Sequence, residues 1–366
     1  MRFVATGTLL LLSTQLSLSM LHRHRNGFHR SSRAAFSVLR QQINSLTDAT
    51  ASMQSWPTDA RYVDYVGDWK YWYRENGHHT TTDDVIVSFV AVFRSTAFPS
   101  LKPHLPTTDK TYSVGTYVDL GCGIGSSLFV VAHALRPCKR IVGIEAQAQS
   151  AALAQRTAAG IADQIGSNSL PRIEVHHKDI RDLLPPSESK KLDDTIHTDL
   201  EGTCDLITAN PPYAPLSLDR LPTDPQRAAA RYELRGGIEE YAKVARRLLA
   251  PTGRFVFAFW HRDATRVEAA CLAADLQIIG RLDVLMGNLG LLKPHLSVFE
   301  AKVRSNQGEV EKEIEVNIGR EADYVVEELD ITREALSGAY SEGYRAIRDA
   351  LQMRSRPLKP SRKKPS

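Results

Sequence analysis

The sequence is poor in cysteine, in acidic residues at both ends and in long apolar runs, and each shortage excludes something. Four cysteines occur in 366 residues: Cys122, Cys138, Cys204 and Cys271. No two stand at the paired spacing of a zinc site, and thiols so scattered make no disulfide framework. They read as small buried hydrophobes in a reducing compartment. Residues 1–50 hold six arginines against one acid, Asp48, and the segment from Arg354 holds six basic residues and no acid. Between these ends stand 34 basic and 41 acidic residues. The body of the chain is therefore mildly acidic, and the pI of 8.8 describes the ends. A nucleic-acid partner would need a local basic patch or the tail. No apolar run reaches the ~20 residues that span a bilayer, so no stable membrane insertion is expected. Internal repeats are absent. The length allows one sizeable core with additions, or two domains.

The N-terminus reads as an address. MRFVATGTLLLLSTQLSLSM joins one arginine to a short apolar run, like a secretory h-region. LHRHRNGFHRSSRAAFSVLR, rich in Arg and Ser and free of acids, resembles an organellar transit peptide. Either half, or both in series, could be the signal; a plain disordered extension is the alternative. Residues 1–50 are thus expected to be a disordered targeting segment, with the mitochondrion ahead of the plastid as destination. The chain stays cytoplasmic if the segment is no signal.

What is present is a regular alternation. After an aromatic-rich lead-in (56–104), whose second part looks helical with Thr82 or Asp83 as N-cap, short apolar runs alternate with helix-like segments. TYVDL, RIVGIE, RIEVHH, CDLITA and GRFVFAFW are the strand candidates. Strands alternating with helices predict an α/β, Rossmann-like, doubly wound, mostly parallel sheet of seven strands. LQIIGRLDVLMG and PHLSVFEAKV follow without a helix between them, so the sheet should end in an antiparallel hairpin. The expected domain covers 105–305, followed by a charged addition (306–350) with a weak helix from about Thr332, and a basic disordered tail (351–366).

The first strand-to-helix junction is VDLGCGIGSS, with Asp119 ahead of Gly121, Cys122, Gly123 and Gly125. Such glycines let backbone approach a ligand at a helix N-terminus, as they do for nicotinamide and flavin cofactors. An acid at Asp119 would repel a pyrophosphate but suits the cationic amino-acid end of S-adenosylmethionine. Glu145 ends the next strand, where an acid accepts ribose hydroxyls of an adenosine. Asp179 follows the third strand and could accept from an adenine amine. Taken singly, either acid could be an ordinary helix cap. Asn210-Pro211-Pro212-Tyr213 follows the fourth strand. A conjugated amine is a poor nucleophile because its lone pair is delocalised. The Asn210 side-chain oxygen and the Pro211 carbonyl can accept its two hydrogens and force the nitrogen toward tetrahedral geometry. The prolines stiffen that pair, and Tyr213 can stack on a planar target. In-line positioning then supplies most of the catalysis, with no metal.

These residues resemble Rossmann-like S-adenosylmethionine-dependent methyltransferases with an N-P-P-Y motif. VDLGCGIGSS, IVGIEAQAQSAALAQRT, ITANPPY and GHHTTTDDVIVSFVA are most similar to the bacterial adenine-N6 methyltransferases of a valine tRNA. ARYELRGGIEEYAKVARRLLAPTGRFVFAF extends the likeness, which covers roughly residues 75–305. It implies that Asn210, Pro211, Pro212 and Tyr213 engage the target amine. Asp119, Gly121, Cys122, Gly123, Gly125, Glu145, Ala146, Asp179 and Ile180 would hold the cofactor. The chain departs from that family in its N-terminus, in an acidic loop at 187–203 and in the C-terminal addition, which leaves the substrate open. The expected function is N6-methylation of an adenine in structured RNA, tRNA first, by a monomer or weak oligomer. Alternatives are N6-methylation of adenine in rRNA or DNA, and N5-methylation of a protein glutamine. A non-catalytic binding protein is disfavoured because every chemical position is filled. Arg220, Arg227, Arg231 and Arg235 could contact phosphates or be a solvated helix face. DWKYWYR could stack bases or pack in the core.

Overall fold

A computed structural model describes residues 56–93, 113–136, 138–166, 171–184, 199–215, 222–286, 293–304, 324–331 and 341–354. The expected targeting segment, most of the acidic loop, Arg220 and the tail beyond 354 lie outside the described residues. The chain opens with β1 (Ala60–Val66), β2 (Trp69–Arg74) and α1 (Thr82–Phe93). The alternating part follows as β3 (Thr116–Leu120), α2 (Ser126–Ala134), β4 (Arg140–Glu145), α3 (Ala148–Ile165) and β5 (Arg172–His177). It continues with β6 (Cys204–Ala209), α4 (Pro225–Arg231), α5 (Ile238–Leu248), β7 (Leu249–Trp260) and α6 (Ala264–Ala273). Then come β8 (Leu276–Met286), β9 (Lys293–Val303), β10 (Val325–Asp330) and α7 (Glu342–Ala350).

Eight strands form one sheet in the order β10-β8-β9-β7-β6-β3-β4-β5, while β1 and β2 make a separate hairpin. Strands β3 to β7 pair in parallel, and β9 runs antiparallel to both β7 and β8. The chain therefore grows outward from β3 to β5, then returns to the other side of β3 with β6. That reversal opens a crevice at the carboxyl ends of β3 and β6, where open α/β sheets bind ligands. The doubly wound sheet and its closing hairpin match the expectation. One strand is added: β10 pairs in parallel with β8. Its sequence VVEELD is half acidic, which hides a strand at an edge, yet Leu329 is buried.

Helix α1 is apolar on nearly every side because it is enclosed, with residues 84–92 all buried. Its N-cap is Thr81, one residue earlier than expected: the Thr81 backbone N–H donates to the Asp84 carboxylate at 2.8 Å, as an N-cap residue donates to N3. Near its other end the Ala91 carbonyl accepts from Arg254 Nη2 at 2.9 Å, and Arg254 Nη1 pairs with Glu300 at 2.8 Å. The lead-in and the C-terminal addition share one core with the sheet. Trp69, Tyr71, Tyr344 and Ile347 belong to the same buried cluster as Leu128 and Phe129. The expected tail boundary at 351 shifts, because Leu351 and Met353 are buried and Arg354 N donates to the Tyr65 carbonyl at 2.8 Å. Of the DWKYWYR aromatics, Trp69 and Tyr71 are core, while Trp72 stacks on Tyr62 with Arg156 4.9 Å from its centroid.

Candidate active site

The glycine loop after β3 takes the left-handed backbone at Gly121, Gly123 and Gly125, with φ of 70°, 58° and 89°. These glycines serve different ends. A Cβ on Gly125 would lie 2.0 Å from the Phe129 ring, so that position packs the loop against α2. A Cβ on Gly123 would meet no atom within 4 Å. Gly123 thus forms an open wall of a cleft of about 930 Å³, reckoned out to solvent. Gly121, Cys122, Glu145, Ala146, Asp179, Ile180, Asn210, Pro212 and Tyr213 line the same cleft.

Three expected site residues do not line it: Asp119, Gly125 and Pro211. Asp119 is 2% exposed, and its carboxylate accepts from the Thr208 hydroxyl at 2.7 Å. Burial pushes its pKa up to about 8. The acid ahead of the glycines therefore braces the loop from below. Pro211 is buried beneath the turn that it stiffens.

Glu145 lines the cleft with both oxygens engaged. Its two oxygens accept from the backbone N–H groups of Gly123 at 2.8 Å and Gln147 at 2.6 Å, and burial raises its pKa. Asp179 lines the cleft but is clamped by a neighbour missing from the sequence reading. Arg181 donates to both of its oxygens, at 3.0 and 2.8 Å.

The Asn-Pro-Pro-Tyr turn after β6 is met by α1. Asn210 Nδ2 donates to Asp84 Oδ1 at 2.9 Å, while Asn210 Oδ1 is buried with no hydrogen-bond partner. The Tyr213 hydroxyl donates to Asp83 in a short bond. Burial pushes the Asp83 pKa up to about 6, and burial with the Asp83 charge raises that of the Tyr213 phenol. The Tyr213 ring lies 5.2 Å from the Trp260 ring, and Arg262 sits 3.8 Å from the Trp260 centroid. His78, Thr81 and Tyr241 also line the cleft; burial depresses the His78 pKa. Of the expected phosphate-binding arginines, Arg235 reaches the cleft and Arg227 donates to the Gly77 carbonyl at 3.1 Å. Sequence reasoning missed Asp84, His78, Thr81 and Tyr241, and gave Asp83 only a capping role. The available signal was TTTDD, two acids where one suffices to cap a helix. Among the described residues no group of His, Cys, Asp or Glu could hold a metal ion, and no helix is long and apolar enough to cross a membrane.

No family model matches the chain. Over 142 residues it is 33% identical to the 4-amino-L-phenylalanine/4-methylamino-L-phenylalanine methyltransferase of Streptomyces pristinaespiralis. The match covers 37% of this chain and 40% of that protein, so the chain spans less than half the length of this curated relative. Strand order and the closing antiparallel hairpin decide the architecture. The fold is α/β, Rossmann-like and doubly wound. A solved structure from Agrobacterium tumefaciens, described as a predicted O-methyltransferase, is 14% identical at a TM-score of 0.44; the match covers 75% of this chain and all of that one. The T. thermophilus 16S rRNA N2 G1207 methyltransferase, solved with AdoMet and guanosine, is 16% identical at a TM-score of 0.38. That match covers 67% of this chain and 50% of the other.

Proposed function

We propose that this chain is an S-adenosylmethionine-dependent N-methyltransferase whose acceptor is a planar, conjugated primary amine. The first substrate class is the N6 amine of adenine in structured RNA, tRNA ahead of rRNA or DNA. The observation that carries the reading is the buried, unpartnered Asn210 Oδ1. An acceptor left alone in a buried site costs about 1–3 kcal/mol unless a ligand satisfies it. The ligand it asks for is a donor, as an amine is.

The cofactor suits the cleft by charge. Asp83, Asp84, Glu145 and Asp179 all line it. Those carboxylates would repel a pyrophosphate and favour a sulfonium and an ammonium group. Gly121, Cys122, Gly123, Glu145, Ala146, Asp179 and Ile180 are the residues that would hold S-adenosylmethionine, with Asp119 bracing the loop. When bound, the cofactor supplies an electrophilic methyl group. Asn210 Oδ1 takes one N–H of the acceptor; the Pro211 carbonyl, expected to take the other, belongs to a buried residue that does not line the cleft. Tyr213, with Trp260 behind it, offers an aromatic face for the acceptor ring.

A second reading has its own observation. The Streptomyces relative is named for an amine on an aromatic ring of a free amino acid, also planar and conjugated. The experiment that separates the readings offers the purified chain methyl-labelled S-adenosylmethionine. The acceptors are total RNA, total protein and 4-amino-L-phenylalanine, beside an Asn210→Ala control. Label recovered as N6-methyladenosine, and lost in the control, supports the RNA reading. Label on 4-amino-L-phenylalanine alone moves the substrate to a small arylamine, and label in protein alone makes it a glutamine methyltransferase. No transfer to any of the three would refute the activity.

A further inference from the structure

The turn that carries Asn210 does not itself decide which end of the side-chain amide faces the cleft. An amide has a donor end and an acceptor end of nearly the same shape, so a half-turn about its last bond exchanges a site for amines with a site for carbonyls. Resting on the amine-methylation reading, we infer that Asp84 sets this polarity and thereby selects an amino group over a keto group. Asp84 is a positioning residue for specificity. It touches Asn210 and acts on the acceptor through it.

The geometry leaves little freedom. Asp84 is 6% exposed and sits in the first turn of α1. One oxygen, Oδ2, accepts from the Thr81 backbone N–H at 2.8 Å and the Thr81 hydroxyl at 3.1 Å. The other, Oδ1, faces Asn210 Nδ2 at 2.9 Å. A carboxylate only accepts, so Asn210 must give it the NH₂ end, and Oδ1 is the end left unpaired. Asp83 does the same for the other side chain of the turn by accepting from the Tyr213 hydroxyl. Two adjacent carboxylates on one helix thus hold both polar side chains of the catalytic turn.

One isosteric exchange tests the idea sharply. In Asp84→Asn the Thr81 backbone N–H still needs an acceptor, so the new amide keeps its oxygen there. Its NH₂ then faces Asn210, which must flip to accept, and a donor now stands where the unpaired acceptor stood. Steric volume is unchanged; hydrogen-bond polarity is reversed and one negative charge is lost, so the reading is the ratio of the two nucleosides at a saturated cofactor site.

The experiment measures adenosine and inosine binding by ligand-observed NMR, with the cofactor side filled by S-adenosylhomocysteine. The two nucleosides differ at position 6, an amine in one and a keto group in the other. The wild-type chain should prefer adenosine by about tenfold or more, as expected for a site that must pair a buried acceptor. Asp84→Asn should lose that preference or reverse it. An unchanged preference would overturn the inference. A denaturation cycle of Asp84→Ala, Asn210→Ala and the double variant tests the coupling without any substrate. The inference expects the double variant to lose clearly less than the sum of the singles, and strict additivity would overturn it. If the wild-type chain binds neither nucleoside, the nucleobase reading fails, and the cycle still decides whether Asp84 holds Asn210.

Discussion

Gly123 and Gly125 stand two residues apart with similar backbone angles, yet substitution should harm the protein in opposite ways. Gly123→Ala carries the strain of a left-handed non-glycine residue, about 1–2 kcal/mol, and its Cβ meets nothing within 4 Å. The fold should survive with a melting temperature lowered by roughly 2–8 °C. The new methyl group, however, stands in the wall of the cleft. S-adenosylmethionine affinity should fall at least about tenfold, which is about 1.4 kcal/mol, and further in Gly123→Val. Gly125→Ala bears the same backbone strain plus an overlap, because its Cβ would lie 2.0 Å from a Phe129 ring carbon. Carbon atoms pack at about 3.5–4.0 Å, and the Phe129 ring is fully buried, with 0% exposure. The ring or α2 must shift, adding about 1–3 kcal/mol. Calorimetric titration with S-adenosylmethionine, paired with thermal unfolding, separates the two effects. If both Gly123 variants bound the cofactor as tightly as wild type, the cradle assigned to Gly123 would be wrong. A Gly125→Ala chain melting like wild type would refute the packing argument.

Asp83 predicts a pH signature. Its pKa rises from an ordinary 3.8 to about 6 on folding, chiefly through burial. Between those values the folded chain keeps a proton that the unfolded chain has released, so this group's contribution to stability falls as pH climbs from 4 to 6. Asp83→Asn should be more stable relative to wild type at pH 7 than at pH 4, read from urea midpoints; the opposite trend would contradict the assignment. Arg254→Ala should cost about 3–5 kcal/mol, because it removes the guanidinium that pairs with the buried Glu300 carboxylate at 2.8 Å. Replacing both members by leucine should cost less, as chemical denaturation would measure.

Much of the fold was legible because the sheet writes itself in short apolar runs. TYVDL, RIVGIE and CDLITA have few other uses in a chain with helix-like segments between them. The hairpin of β1 and β2 was not legible: YVDYV and WKYWYR mix buried Tyr71 with exposed Lys70, and turn only at the positive φ of Gly67. Strand β10 hid behind its acids. The site residues that the chain itself announces, the glycines and Asn210-Pro211-Pro212-Tyr213, sit on strand ends where motif spacing is local. Asp84 is different. It lies 126 residues before Asn210, and only tertiary folding brings the two together. Asp119 marks the opposite limit: its place ahead of the glycines is plain in the sequence, but its carboxylate accepts from Thr208 on β6 and does not line the cleft.

The most direct test of the account is a crystal structure of the chain with S-adenosylhomocysteine and whichever acceptor the labelling experiment identifies. The account predicts the acceptor amine within hydrogen-bond distance of Asn210 Oδ1, with Asn210 Nδ2 still on Asp84. An amine bound elsewhere, leaving Asn210 Oδ1 without a partner, would contradict it.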